Sequence, residues 1–193
     1  SMFGGCTSLT TAPELSATKM ADECYYSMFE GCTSLIEASV LPATELAWNC
    51  YSGMFSGCMS LKSAPLLPAT ELTESCYASM FSGCEGLTEA QELPATELTE
   101  WCYSGMFSGC TSLAKAPALP AMKLAESCYS NMFYGCVSLN YVKALFTDGP
   151  SEETTENWLS GIASTDTFVK SKDAIWDVSG ASGIPEGWTV VTE

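Results

Sequence analysis

The residues in this chain best suited to chemistry are its eleven cysteines, and their spacing is regular. One set runs Cys6, Cys32, Cys58, Cys84, Cys110, Cys136 and the other Cys24, Cys50, Cys76, Cys102, Cys128, and a single constant interval separates the members of both. In an exported chain such a count points first to a disulfide framework. The spacing argues against it. On a helix rising about 1.5 Å per residue, Cys76 and Cys84 stand about 12 Å apart, beyond the reach of a bridge between Cα atoms about 7 Å apart. Equivalent cysteines on neighbouring helices are too far apart as well, and an odd total leaves at least one thiol unpaired. The expectation is two ladders of buried free thiols that act as small apolar side chains. A zinc centre lacks both its C-x-x-C spacing and a histidine to complete it, so no metal site is expected.

Other chemistry is narrowed by what the composition omits. The chain has no histidine, and its seven basic residues are all lysine. Ser-His and Cys-His nucleophiles are thereby excluded, and no arginine clamp for an oxyanion or phosphate is available. A pair of carboxylates remains open to hydrolysis. The acids that recur in columns, Glu45, Glu71, Glu97 and Glu74, Glu100, Glu126, fall at expected helix starts, where compensation of the helix dipole accounts for them. No loop has the spacing of a calcium-binding hand. The expectation is a protein that is not an enzyme and carries no cofactor and no metal. With 23 acidic residues and a formal charge of -16, its surface repels phosphate backbones and anionic lipid, which argues against nucleic-acid partners. No apolar run approaches the roughly 18 residues that cross a bilayer, so no direct membrane insertion of this segment is expected.

The elements that must position these residues are repeats. Met-Phe recurs from Met2-Phe3 through Met28-Phe29 to Met132-Phe133 at the interval of the cysteines, without a slip. Gly-Cys, Cys-Tyr and two leucine columns, Leu9 to Leu139 and Leu15 to Leu145, keep the same period. Within one unit, Leu87, Ala90 and Leu93 are three apart and Pro94 stops the run, which predicts a short parallel strand. Across 71–84, Leu72, Cys76, Met80 and Tyr77, Phe81 recur at four-residue spacing, which predicts an apolar helical stripe. Thr70 can cap it, and Gly83 can take the left-handed position at its end.

Strands stack about 4.8 Å apart whereas helices need about 8 to 10 Å, so such a stack is expected to curve with strands inside and helices outside. The fold class expected is α/β: a right-handed leucine-rich-repeat solenoid with short parallel strands on the concave face, short helices on the convex face and a small C-terminal cap. Its concave surface is the candidate ligand-binding face. The positions there between the invariant apolar columns are Thr10, Thr11, Ile36, Glu37, Lys62, Ser63, Thr88, Glu89, Ala114, Lys115, Asn140 and Tyr141, and they vary from unit to unit. On the outer side, Trp48 and Trp101 stand at varied positions, where an exposed aromatic could meet sugar or protein.

The organisation expected is a solenoid over 1–146 and a capping segment over 147–193. Ser1-Met2-Phe3 matches Ser27-Met28-Phe29, so the first unit opens in mid-repeat, and the chain is expected to be a fragment of a longer protein or to have that end covered. After Leu145 the period fails. Ser151 to Leu159 reads as a helix with an acidic first turn, and Thr167–Lys170 and Trp188–Val191 read as strands. Trp158, Trp176 and Trp188 are expected to cover the last repeat.

The phrase Met-Phe-x-Gly-Cys-x-Ser-Leu, followed by Leu-Pro-Ala-Thr and Cys-Tyr, resembles the BspA-like leucine-rich repeats of surface proteins in gut anaerobic bacteria. The resemblance covers residues 1 to about 146. The tail through Gly183-Ile-Pro-Glu-Gly-Trp188 is similar to the segment that ends many such proteins. The resemblance implies export to the cell surface or periplasm, where a lipid anchor upstream of this segment is one way of holding it. It also implies adhesion to a host or bacterial surface protein or a glycan, and no catalytic residues. Two readings stay open: a binding module that uses its concave face, and a structural spacer without a ligand.

Overall fold

The computed structural model describes residues 2–193; Ser1, the first residue of the opening unit, lies outside the described residues. Each repeat unit is one coil, and successive coils lie in register. On one side, short parallel bridges join Thr11 to Glu37, Ser63 to Glu89 and Lys115 to Tyr141. The bridged stretches are the strands expected from the Leu-x-x-Ala-x-x-Leu spacing. They are very short because Pro94 and its equivalents, Pro42, Pro68 and Pro120, supply no amide to prolong the ladder.

The expected convex helices do not form. Over 75–84 the amides alternate: Tyr77, Ser79, Phe81 and Gly83 donate to Cys102, Ser104, Met106 and Ser108 of the next coil at 2.7 to 3.1 Å. Those between them, Ala78, Met80, Ser82 and Cys84, donate three residues back within their own coil. Every fourth residue is left-handed, as at Ser75, Ser79 and Gly83, and this reverses the chain before an α-helical turn can close. The four-residue apolar spacing belongs to this ribbon of turns. A helix would have satisfied its amides internally and needed about 8 to 10 Å from its neighbour. The ribbon hands half of them to the next coil, so coils approach as closely here as on the strand side. The difference in spacing on which the expected curvature rested is absent.

Close approach builds continuous ladders of side chains. Phe3, Phe29, Phe55, Phe81, Phe107 and Phe133 stack with ring centroids 5.4 to 5.7 Å apart. Tyr51, Tyr77, Tyr103 and Tyr129 do the same at 5.7 to 6.1 Å. Offset stacking at such distances adds to the burial of apolar area. The glycine column is required by the backbone: Gly83 holds a φ of 72°, a left-handed conformation that a Cβ strains.

The ladder runs past residue 146, where the sequence pattern changes. Strand β1 (Tyr141–Ala144) pairs in parallel with β2 (Thr167–Lys170), Tyr141 facing Thr167 at the interval of the repeat, and β2 pairs with β3 (Thr189–Thr192). Between β1 and β2 the helix expected over 151–159 is a single turn, α1 (Glu152–Thr155), because Asn157 takes a φ of 52° and the turn ribbon resumes. Phe133 then donates to the Trp158 carbonyl as Phe107 does to that of Met132. Trp158, Trp176 and Trp188 are buried, and their indole N–H groups bond to the carbonyls of Gly183, Phe146 and Ala163 at 2.8 to 3.1 Å. Each tryptophan thus covers apolar core and also satisfies a backbone carbonyl far from it in sequence.

Candidate binding surface

The strand side brings the twelve sequence-selected residues into one strip, two residues wide. Backbone bonds carry one column from coil to coil: the amide of Ile36 donates to Thr10, Lys62 to Ile36, Thr88 to Lys62 and Asn140 to Ala114. The neighbouring column is held by the bridges of Thr11 with Glu37, Ser63 with Glu89 and Lys115 with Tyr141. Eleven of the twelve are exposed and Tyr141 is half-buried. Two successive residues point outward because the leucine before them and the alanine after them both turn into the core, as Leu61 and Ala64 do around Lys62 and Ser63.

Side chains along the strip differ in kind and are partly organised. Lys115 lies over the ring of Tyr141, its Nζ 5.3 Å from the centroid, a distance at which the ring face attracts a cation. The Thr88 hydroxyl donates to the Lys62 carbonyl at 3.2 Å. Thr88, Glu89 and Lys115 border a cavity of about 250 Å³ that Gln91, Glu92 and Pro117 complete. Thr11 and Glu37 border a larger one of about 670 Å³, which has a more apolar wall of Leu15, Val40 and Pro42.

The exposed aliphatics Val40 and Leu66, equivalent residues of successive coils, are what reading the sequence missed. Val40 and Leu66 are 73% and 66% exposed. Each stands just before the buried leucine of a Leu-Pro pair, in Val40-Leu41-Pro42 and Leu66-Leu67-Pro68. The doubled aliphatic was the available signal, because adjacent residues in an extended segment point to opposite faces and only one can enter the core.

The cysteines are free, and nine of the eleven are buried. The wide spacing expected between equivalent cysteines on neighbouring helices does not apply, since members of one column sit on directly stacked coils. Instead each thiol of the Gly-Cys column from Cys32 onward donates to the carbonyl of a phenylalanine one coil back, as Cys84 does to Phe55 at 3.1 Å and Cys110 to Phe81 at 3.2 Å. Burial pushes Cys58, Cys76 and Cys136 up to about 12, so the nucleophilic thiolate is suppressed. Among the described residues, no group of three or more His, Cys, Asp or Glu is placed to hold a metal ion, and no helix is long and apolar enough to cross a membrane.

The glutamates expected at helix starts have no helix to cap. Glu45, Glu71, Glu97 and Glu74, Glu100, Glu126 are exposed; Glu45 is bridged to Lys19 and pairs with it, and dipole compensation does not account for the columns.

No curated protein and no solved structure matches this chain. A family model for the BspA-type leucine-rich repeat region matches over 1–114 and 51–148, with 6 copies. With stacked coils carrying those repeats over most of its length, the chain belongs to the BspA-type leucine-rich-repeat family.

Proposed function

We propose that this protein is a non-catalytic binding module that engages a surface protein or a glycan through the strip from Thr10 and Thr11 to Asn140 and Tyr141. Repeats of this family serve protein-binding or structural roles, and its members are generally surface-exposed. Export to the surface or periplasm of a gut anaerobe, through an anchor outside this segment, is part of the same reading. One observation carries it: twelve residues that vary between otherwise repeated units form one continuous strip on the strand side, held on a hydrogen-bonded backbone that does not need them for its own packing. A rigid scaffold lowers the ordering cost of binding.

A spacer is the second reading, favoured by the coil-to-coil hydrogen bonds on both sides, which make the stack stiff. A glycan array and a pull-down with matrix proteins distinguish the two. Glu37→Lys, Glu89→Lys and Lys115→Glu together are expected to reduce capture at least tenfold. Unchanged capture by that variant would refute the strip as the binding face, and an absence of any ligand in both assays would favour the spacer.

A further inference from the structure

The turn side, nearly half a coil away from the strip, carries two exposed tryptophans. Trp48 and Trp101 are each 43% exposed. Trp101 also holds a φ of 57°, a left-handed conformation that bulky side chains rarely adopt. The equivalent positions of the neighbouring coils are Asn49, Ser75 and Ser127, small polar residues better suited to that backbone. Trp101 leaves nearly half of its surface in solvent while holding a backbone conformation that costs a bulky side chain energy.

Glu74, Glu100 and Glu126 continue the column of Trp48 on three successive coils, and Glu100 directly precedes Trp101. Their coils are tied by bonds from Asn49 to the Glu74 carbonyl, Ser75 to Glu100 and Trp101 to Glu126, at 3.0 to 3.1 Å. The Trp48 indole N–H reaches Glu74 Oε1 at 3.3 Å. The three glutamates border a cavity of about 450 Å³ together with Leu98, Thr99 and Ala125, and the buried Thr99 hydroxyl has no hydrogen-bond partner. Among the described residues the ion pairs are Lys19 with Glu45 and Lys143 with Glu193, so none neutralises this row.

We propose that this face is a second binding surface, for a cationic segment of polypeptide. Lysine or arginine side chains of the partner would lie against Trp48 and Trp101 and pair with Glu74, Glu100 and Glu126. Charge decides the class of occupant. A neutral sugar could stack on the indoles but would leave like charges on successive coils uncompensated, and a nucleic acid would be repelled. A cation is attracted both by the carboxylates and by the ring faces.

The probe is a dodecapeptide of alternating lysine and glycine, titrated calorimetrically into the whole chain at low and at high salt. Binding that weakens with salt is expected. Trp101→Asn is expected to weaken it at least tenfold while raising the melting temperature, since asparagine tolerates the left-handed backbone. A loss of binding in that variant therefore cannot come from unfolding. Glu74→Gln, Glu100→Gln and Glu126→Gln together are expected to weaken binding and flatten its salt dependence. An equal loss of charge placed elsewhere, Glu14→Gln with Asp173→Asn and Glu186→Gln, should leave affinity within twofold. Equal weakening by the two triple variants, full affinity in Trp101→Asn, no binding at low salt, or displacement of the peptide by a neutral hexasaccharide would each overturn the proposal.

Discussion

The amide of Phe81 donates to the carbonyl of Met106 at 2.9 Å, a bond that crosses from one coil to the next. The same bond recurs from Phe29 to Met54, Phe55 to Met80 and Phe107 to Met132. Backbone and ring ladders therefore run together, each phenylalanine carrying both the hydrogen bond and the stacked side chain. Stability passes from coil to coil through neighbours, as in other stacked-repeat proteins.

Removing one ring from the middle of the ladder should be felt strongly. Phe81 is fully buried between Phe55 and Phe107. Phe81→Ala is expected to cost about 3 to 5 kcal/mol, read from the midpoint of a denaturant titration. A cost below about 1 kcal/mol would show that neighbouring coils collapse into the gap.

The tyrosine ladder holds polar atoms that the fold does not use. The hydroxyls of Tyr51 and Tyr77 are buried without a hydrogen-bond partner, a condition that costs about 1 to 3 kcal/mol per group. Tyr77→Phe keeps the stacked ring and removes the orphan oxygen. The expected result in thermal unfolding is an unchanged or higher melting temperature, and a clear fall would mean that the hydroxyl is bonded after all.

The turn ribbon gives opposite effects at two left-handed positions of one coil. Ser79 has a φ of 52° and Gly83 a φ of 72°. Replacing Ser79 by glycine relieves strain and should stabilise by up to about 1 kcal/mol. Gly83→Ala adds a Cβ at a left-handed residue and should cost about 1 to 2 kcal/mol. Were this segment an α-helix, both signs would reverse, so calorimetry of the two variants tests the backbone description directly.

Thiol reactivity should divide by burial. Cys6 and Cys24 are exposed and the other nine are buried. A maleimide reagent near neutral pH is expected to label two thiols in the folded protein and eleven after unfolding. The pH dependence follows from the direction of the shifts. The buried thiols titrate above the ordinary value of 9.0, with Cys58 and Cys136 pushed up to about 12, so the folded state binds protons more tightly than the unfolded one. Their contribution to stability is complete below about pH 9 and is lost as the pH rises from there towards 12. Melting temperatures that stay flat across that window would contradict the burial of these thiols.

Much of the surface and core could be read from residue spacing. The phenylalanine, methionine, leucine and cysteine columns all lie inside over the central repeats, because a residue type that recurs at a strict period must meet the same environment in every unit. The strip around Glu37 and Lys115 was legible for the complementary reason: positions the core does not constrain are free to vary. Val40 and Leu66 were harder to place, since either member of a doubled aliphatic could have faced inward.

Determined by the sequence alone were the repeat, its register and the burial of the strictly periodic apolar columns, because that burial follows from period without reference to the backbone. Only the tertiary structure decided the backbone of 75–84. Over so short a stretch a four-residue spacing fits both a helix and a ribbon of turns, and the choice depends on whether the amides find acceptors in their own coil or in the next. Once Phe81 bonds to Met106, the coils close to a uniform spacing. The glutamates are then left without a helix end, and Trp48 stands one coil from Glu74.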